Sequence, residues 1–317
     1  MSDMLLTIQH NGKVFSPPVE SGVQIEWERV GVAGKLTFTT IKVDDSMAFQ
    51  EGDPVCFYYK EKPIFMGYVF TKTRDKEHHI KVTCYDQLRY LKNKYTYAFE
   101  KKSATQIIKA LCNDFNLSIG TMENTAYVIP AIIEENVEAF DIILKVLEET
   151  LMNTGNMFVL YDDFGKITVK NVANMQTNVL IYDQSAENFD YTSSIDNETY
   201  NSIVLYYKGE DKMQIYTASN KEKISKWGTL RYFEEVKNPS IGQNKANSLL
   251  KLYCKKTREL RVTGAFGDTN IRGGTLIPVM LDLGDIQTQN YMMVEKVTHK
   301  FDDNEYTMDL TLEGAWE

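Results

Sequence analysis

The sequence predicts a mainly β protein of the α+β class, with a helical stretch between two β-rich regions. Three observations carry this. Short apolar segments alternate with polar residues through residues 1–95 and again through 176–317. Residues 96–175 hold the two clearest runs of helical period. Turn chemistry such as Asn11-Gly12, Gly52-Asp53-Pro54 and Gly273-Gly274 punctuates the β-rich parts.

In the first region, Leu6 and Ile8 alternate with polar neighbours, and Asn11-Gly12 supplies the positive-φ pair of a tight hairpin. Val23, Ile25 and Trp27 alternate next, then Leu36 with Phe38, then Val55, Phe57 and Tyr59. Pro54 belongs at the start of its strand or on an edge, because it donates nothing to a ladder. Gly67 interrupts a further strand, and His78, Ile80, Val82 and Cys84 complete the set. Five or six such strands predict a barrel or sandwich over 1–95.

The middle region, 96–175, opens with Ser103 and Gln106 in capping-box spacing before Ile107, Ile108, Leu111 and Phe115. Phe140, Ile143, Leu144, Leu147 and Leu151 share the face of a second helix, which Asn153-Thr154-Gly155 ends. A hairpin turning at Asp162–Lys166 follows. The last region, 176–317, returns to strands around 203–207, 213–217, 260–262, 277–279, 291–297 and 308–312. A helix at about 240–256, with Ala246, Leu249, Leu250 and Tyr253 on one face, interrupts it and is expected to pack with the helical region.

Charge and composition exclude several classes. The 317 residues carry 35 basic and 44 acidic side chains, so the basic footprint of a nucleic-acid binder is absent on balance. The acidic excess falls in residues 96–175 and 176–317, while 1–95 is nearly neutral. No apolar run approaches about 18 residues, and the first ten residues lack a basic leader segment, so neither membrane insertion nor secretion by a standard signal is expected. The four cysteines are never closer than 28 residues, which leaves no CxxC metal or redox pair.

No catalytic constellation assembles, and catalytic residues, cofactor and metal are all expected to be none. The four histidines are His10, His78, His79 and His299; His78 and His79 are strand neighbours whose rings point to opposite faces. Nucleophile elbows, Walker loops and dinucleotide fingerprints do not occur. The pairs Asp162-Asp163 and Asp302-Asp303 sit in hairpin turns, where a solvated aspartate bonding its own backbone is the better reading.

One internal likeness stands out. Gly52 to Phe57, then 65–69, a charged turn at 75–77 and Ile80-Lys81-Val82-Thr83 parallel Gly273-Gly274 to Val279, then 291–294, a charged turn at 302–305 and Met308-Asp309-Leu310-Thr311. This reads as a remote duplication of one β domain.

The same residues carry a family resemblance. Gly52-Asp53-x-Val55-x-Phe57, Phe65-x-Gly67-x-Val69 and Val82-x-Cys84-Tyr85-Asp86-x-Leu88-Arg89-Tyr90-Leu91 form its first part. Ser219-Asn220-Lys221-x-x-Ile224-x-Lys226-Trp227-Gly228-x-Leu230 and Ile271-Arg272-Gly273-Gly274-x-x-Ile277-Pro278-Val279 form the others. The chain resembles the XkdQ/YqbQ-like baseplate hub proteins of contractile-tailed phages, defective prophages and R-type bacteriocins. The resemblance implies two tail-tube-like antiparallel β-barrel or sandwich domains, 1–95 and 176–317, flanking a helical α+β domain, 96–175. It also implies a homotrimer that adapts a hexameric tail tube to a trimeric central spike. Other baseplate proteins are the further partners, with no sequence-specific nucleic acid and no membrane insertion. Synthesis in the bacterial cytoplasm and assembly into a tail or tail-like particle follow from it. Some relatives carry a fused cell-wall hydrolase, which is not expected here. The expected assembly and turn residues are Gly52, Asp53, Gly67, Trp227, Gly228, Gly273 and Gly274, with Gly67 and Gly273-Gly274 permitting close approach at subunit seams. The rival readings are a tail-tip peptidoglycan hydrolase and a carbohydrate-binding module.

Overall fold

The computed structural model describes residues 3–41, 48–196, 198–209, 212–236, 238–282, 287–303 and 305–314. The chain falls into two compact units, one of residues 1–190 with 260–317, the other of residues 191–259.

In the larger unit, the first β region contains β1 (Met4–His10), β2 (Lys13–Phe15), β3 (Val19–Glu28), β4 (Lys35–Ile41), β5 (Pro54–Tyr59), β6 (Lys62–Arg74) and β7 (His79–Tyr85). Asn11 and Gly12 take φ of 48° and 78°, and the hairpin closes at His10 opposite Lys13. Strict alternation buries Leu6, Ile8, Val23, Ile25, Leu36, Phe38, Val55, Phe57 and Val82. Each such side chain contributes about 1.5–3 kcal/mol on leaving water.

The second β region contains β13 (Ile181–Tyr182), β14 (Asn188–Ser194), β18 (Thr257–Phe266), β19 (Leu276–Asp282), β20 (Gln287–Phe301) and β21 (Tyr306–Glu313). Its strands lie in the order β13-β19-β20-β21-β18-β14, and those of the first region in the order β1-β5-β6-β7-β4-β3. Numbered along the chain, the two orders are the same. The departures are small: β2 is an addition, and β13 runs parallel to β19 over two residues whereas β1 is antiparallel to β5. Asn304, within the second charged turn of the sequence comparison, lies outside the described residues.

Between the repeats, β8 (Lys94–Ser103), α1 (Ala104–Asp114), β9 (Ile119–Met122), β10 (Val128–Glu138), α2 (Ala139–Thr154), β11 (Phe158–Asp162) and β12 (Ile167–Asn171) form a separate core. The capping box is present: Gln106 N–H donates to Ser103 Oγ while Ser103 N–H donates to Gln106 Oε1. Gly155 ends α2 in the left-handed region at φ 74°. Ile107, Ile108, Leu111, Ile142, Ile143 and Val146 meet the β10, β11 and β12 side chains Ile129, Leu160, Ile167 and Val169 with no exposure above 6%.

The smaller unit holds β15 (Ser202–Lys208), β16 (Met213–Ser219), α3 (Lys221–Trp227), β17 (Arg231–Glu235) and α4 (Gly242–Tyr253). β15 is central, antiparallel to β16 and parallel to β17. The helix expected to join the middle region is α4, and it packs instead on β15 and β16. Its apolar face carries only Ala246 and Leu249 as buried hydrophobics, enough to cover the local side chains Ile203 and Leu205. The sequence reading placed this segment inside the last β region, because its strands alternate like those around them. Its compactness comes from pairings that periodicity does not specify.

Candidate functional site

The repeats join edge to edge. β3 of the first pairs antiparallel with the second half of β20, from Glu28 opposite Lys296 to Val23 opposite Phe301, making one sheet of 13 strands among the described residues. Charge pairs lie along this seam. Arg29 Nε donates to both Glu295 carboxylate oxygens at 2.6 and 2.8 Å. Lys296 Nζ donates to Glu28 at 3.0 Å and lies 3.2 Å from Glu26; the bond to Glu28 raises its pKa.

Behind the pairs sits an aromatic group. Trp27 meets His299 edge-on at 5.1 Å, and Phe301 contacts Phe57, Tyr59 and Tyr306 within 5.1 Å. His299 is fully buried, its Nε2 2.9 Å from the Ile271 carbonyl oxygen and its Nδ1 2.9 Å from Tyr306 Oη. Desolvation lowers its pKa to about 4, so the ring is neutral at pH 7. Neutral imidazole has one donor and one acceptor, which fits a ring donating to the carbonyl through Nε2 and accepting from the tyrosine at Nδ1.

Arg272 fastens the middle region to this seam. Its guanidinium lies 5.0 Å from the Trp27 ring and 4.3 Å from the Tyr161 ring, and Nη1 donates to the Asp162 carbonyl at 3.0 Å.

Two of the sequence-predicted residues, Gly52 and Gly274, occupy matched places in the two repeats, and Asp53 is matched by Thr275. Gly52 N–H donates to the Val69 carbonyl and Val69 N–H to that of Asp53, at 2.8 and 2.9 Å. Gly274 N–H donates to the Val294 carbonyl and Val294 N–H to that of Thr275, at 2.8 and 2.9 Å. Gly52 and Gly274 share a left-handed φ, 94° and 88°. β6 is bulged against β7 between Val69 and Thr71, and β20 against β21 between Val294 and Lys296. Asp53 does more than turn the chain: its carboxylate takes the Gln50 N–H at 2.7 Å and lies 2.8 Å from His10 Nδ1.

Gly273 lies in the seam itself, where a Cβ would stand 2.4 Å from the Arg29 backbone nitrogen. Gly67 permits a close approach of another kind: its Cβ would stand 2.4 Å from the Tyr85 carbonyl oxygen, within the first repeat. Trp227 and Gly228 belong to the smaller unit. There Lys223 lies 5.0 Å from the Trp227 ring, and the Gly228 carbonyl accepts from Asn201 at 2.7 Å. The sequence reading missed Trp27, Lys296 and His299, each of which looks like one more member of an alternating strand.

Acidic groups with shifted pKa values are structural in their contacts. Asp162, expected to be solvated, is 6% exposed; it bonds its own turn at Gly165 N–H as expected and also accepts from Gln87 at 3.1 Å. Asp86 accepts from Leu88 N–H and Gly34 N–H at 3.0 and 2.9 Å. Burial, and then the neighbouring Asp162, push Asp86 well above the usual carboxylate range; burial likewise raises Asp162. Their oxygens are committed to backbone and amide donors, which fixes the β7 end and the β11–β12 turn.

Asp75, Glu77 and His79 bring candidate ligand atoms within 4.8 Å of one another at the exposed β6–β7 turn. His79 is the only ring in that group; His78 precedes β7 with φ 69°. The Asp75 carboxylate takes the Glu77 and His79 N–H groups at 2.8 and 3.0 Å, as a turn aspartate does.

A tandem pair of matched β repeats fused through one sheet places the chain among the folds of phage tail proteins. The 43 kDa tail protein of prophage MuSo2 from Shewanella oneidensis superposes with a TM-score of 0.74 over 97% of this chain and 98% of its own, at 12% identity. The YQBQ-like family model matches residues 23–313, and the chain belongs to that family. Two curated relatives come from Bacillus subtilis (strain 168). The uncharacterized protein YqbQ is 29% identical over 301 residues, and the phage-like element PBSX protein XkdQ is 28% identical over 306. Each alignment covers 92% of this chain and 91% of the relative.

Proposed function

We propose that this protein is the structural hub of a phage tail or phage-tail-like particle, a homotrimer that adapts a hexameric tail tube to a trimeric central spike. One observation carries the reading: the same six-strand order occurs twice in one chain. Two like domains per chain turn three copies into six like positions around an axis, while the parts that are not duplicated repeat only three times. The tube-facing surface thereby gains approximate six-fold symmetry and the opposite surface keeps three-fold symmetry. Membership of a family that includes the XkdQ protein of a phage-like element supports the same role.

Action is by assembly, without catalysis. The buried acids hold turns, and His299 is enclosed by aromatic rings. The middle region, 96–175, faces outward as a docking platform for neighbouring baseplate proteins. A cryo-EM map of the intact particle tests the proposal. Three copies between tube and spike are expected; one copy, six copies, or a place away from the tube axis overturns it.

A further inference from the structure

The geometry points to a specific subunit seam: the outer edge of β14 in one copy pairs antiparallel with residues 71–74 of β6 in the next copy. This rests on the trimer reading above and names the surface through which it closes.

Because Val69 and Val294 make the same pair of bonds and precede the same bulge, residues 71–74 of β6 occupy the place of residues 296–299 of β20. In the second repeat that stretch is laddered on both edges, to β21 and to β3. In the first repeat it is laddered only to β7, and among the described residues no strand covers its other edge. Burial reports the same contrast. Val297 and His299 are fully buried; of their counterparts, Arg74 is exposed and Lys72 is half-buried, its Nζ donating to the Phe49 carbonyl at 2.6 Å.

The complementary edge exists as well. β14 holds the position in the second repeat that β3 holds in the first, and among the described residues it is the terminal strand of the sheet, laddered to β18 alone. Within the chain, the β3 position of repeat one docks on the β20 position of repeat two. Applied to the next copy, the same operation sets β14 of repeat two on β6 of repeat one. It uses one edge of each kind per copy, which is the head-to-tail arrangement that closes into a ring. An exposed strand edge is a template for such pairing.

Charge fits the match. Arg74 stands in the place of His299, which pairs with Ile25 in the middle of β3. β14 carries exposed Asp190, with exposed Glu187 just before it. One position limits the likeness. Glu51 stands where Gly273 stands in the second repeat, and it leaves no room for the close approach that Gly273 makes to Arg29. β14 therefore leaves the edge beyond residue 71 and leads into the 191–259 unit.

The test is charge reversal with rescue in the full chain, read by sedimentation equilibrium over a wide concentration range. Arg74→Glu and Asp190→Arg are each expected to weaken trimer formation on the order of tenfold or more. The double reversal is expected to recover most of that loss. Both side chains are exposed, so unchanged melting of the dissociated chain verifies that the fold is intact. A trimer indifferent to both single reversals, or weakened by both without rescue, overturns this seam and leaves the trimer reading standing. A monomer at every concentration overturns the trimer reading and this seam with it.

Discussion

The two repeats share a strand order and a bulge, yet one ends in an open edge where the other ends in a filled one. Residues 296–301 of β20 are laddered along one edge by β3, and there Val297, His299 and Phe301 point inward and are buried. Among the described residues no strand pairs with that edge of residues 71–74 of β6, and they read Thr-Lys-Thr-Arg. The same fold position is thus apolar or charged according to what lies against it. Glycine follows the same logic: Gly273 touches the backbone of β3, and its counterpart Glu51 is exposed.

The largest effect is expected where the seam is tightest. Gly273→Val drives a side chain into the Arg29 backbone, 2.4 Å from its nitrogen, and neither element can yield without breaking the β3–β20 ladder. A loss of about 3 kcal/mol is expected, at the upper end of overpacking costs. Glu51→Val, at the matched open position, is expected to change stability by less than about 0.5 kcal/mol. Urea denaturation of both variants checks this, and equal costs break the comparison.

His299 gives the next effect, one of pH. Its folded pKa of about 4 lies below its ordinary 6.5. The unfolded chain therefore binds a proton first as pH falls. The stabilisation is complete above about pH 6.5 and is lost as the pH falls toward 4, by about 3 kcal/mol in total. NMR titration is expected to show a ring that stays neutral at pH 5, while half-buried His79 is raised above its ordinary value by its bond to Asp75. A His299 ring that titrates near 6.5 removes the claim that β3 seals this position.

The smallest effect separates the two turn glycines. Gly52→Ala and Gly274→Ala each meet the left-handed φ penalty, about 1–2 kcal/mol. Only at Gly274 does the new Cβ also meet a side chain, Val159 Cγ1 at 2.7 Å, whereas nothing lies within 4 Å at Gly52. Gly274→Ala is expected to cost more by about 1–2 kcal/mol, because buried Val159 is short and β-branched and must move bodily to make room. Thermal melting of the pair measures the difference.

Much of this was legible in advance for local reasons. Asn11-Gly12 dictates a hairpin because both residues tolerate positive φ. Ser103 and Gln106 mark a helix start because their side chains satisfy backbone donors that the helix leaves over. The matched glycines and strands were visible as a faint repeat, since a turn that needs φ near 90° keeps its glycine in both copies.

The partners of these elements were not legible in the same way. Alternation says that Trp27, Val297 and His299 face a core, and it says nothing of which strand supplies that core. Asp162 reads as a solvated turn residue because its local chemistry is that of a turn; its burial comes from Gln87 and Asp86, about 75 residues earlier in the chain. The helix at 242–253 has the face of any amphipathic helix, and only the β15–β16 sheet beside it decides where it packs. By itself the sequence determined the elements, their turns and the duplication, because each depends on backbone preference or period within a few residues. The tertiary structure alone decided that β3 closes on β20, that Gly273 and His299 lie against β3 and its end, and that among the described residues no strand pairs with the outer edge of residues 71–74, because strand pairing joins residues hundreds of positions apart through backbone groups that every residue carries alike.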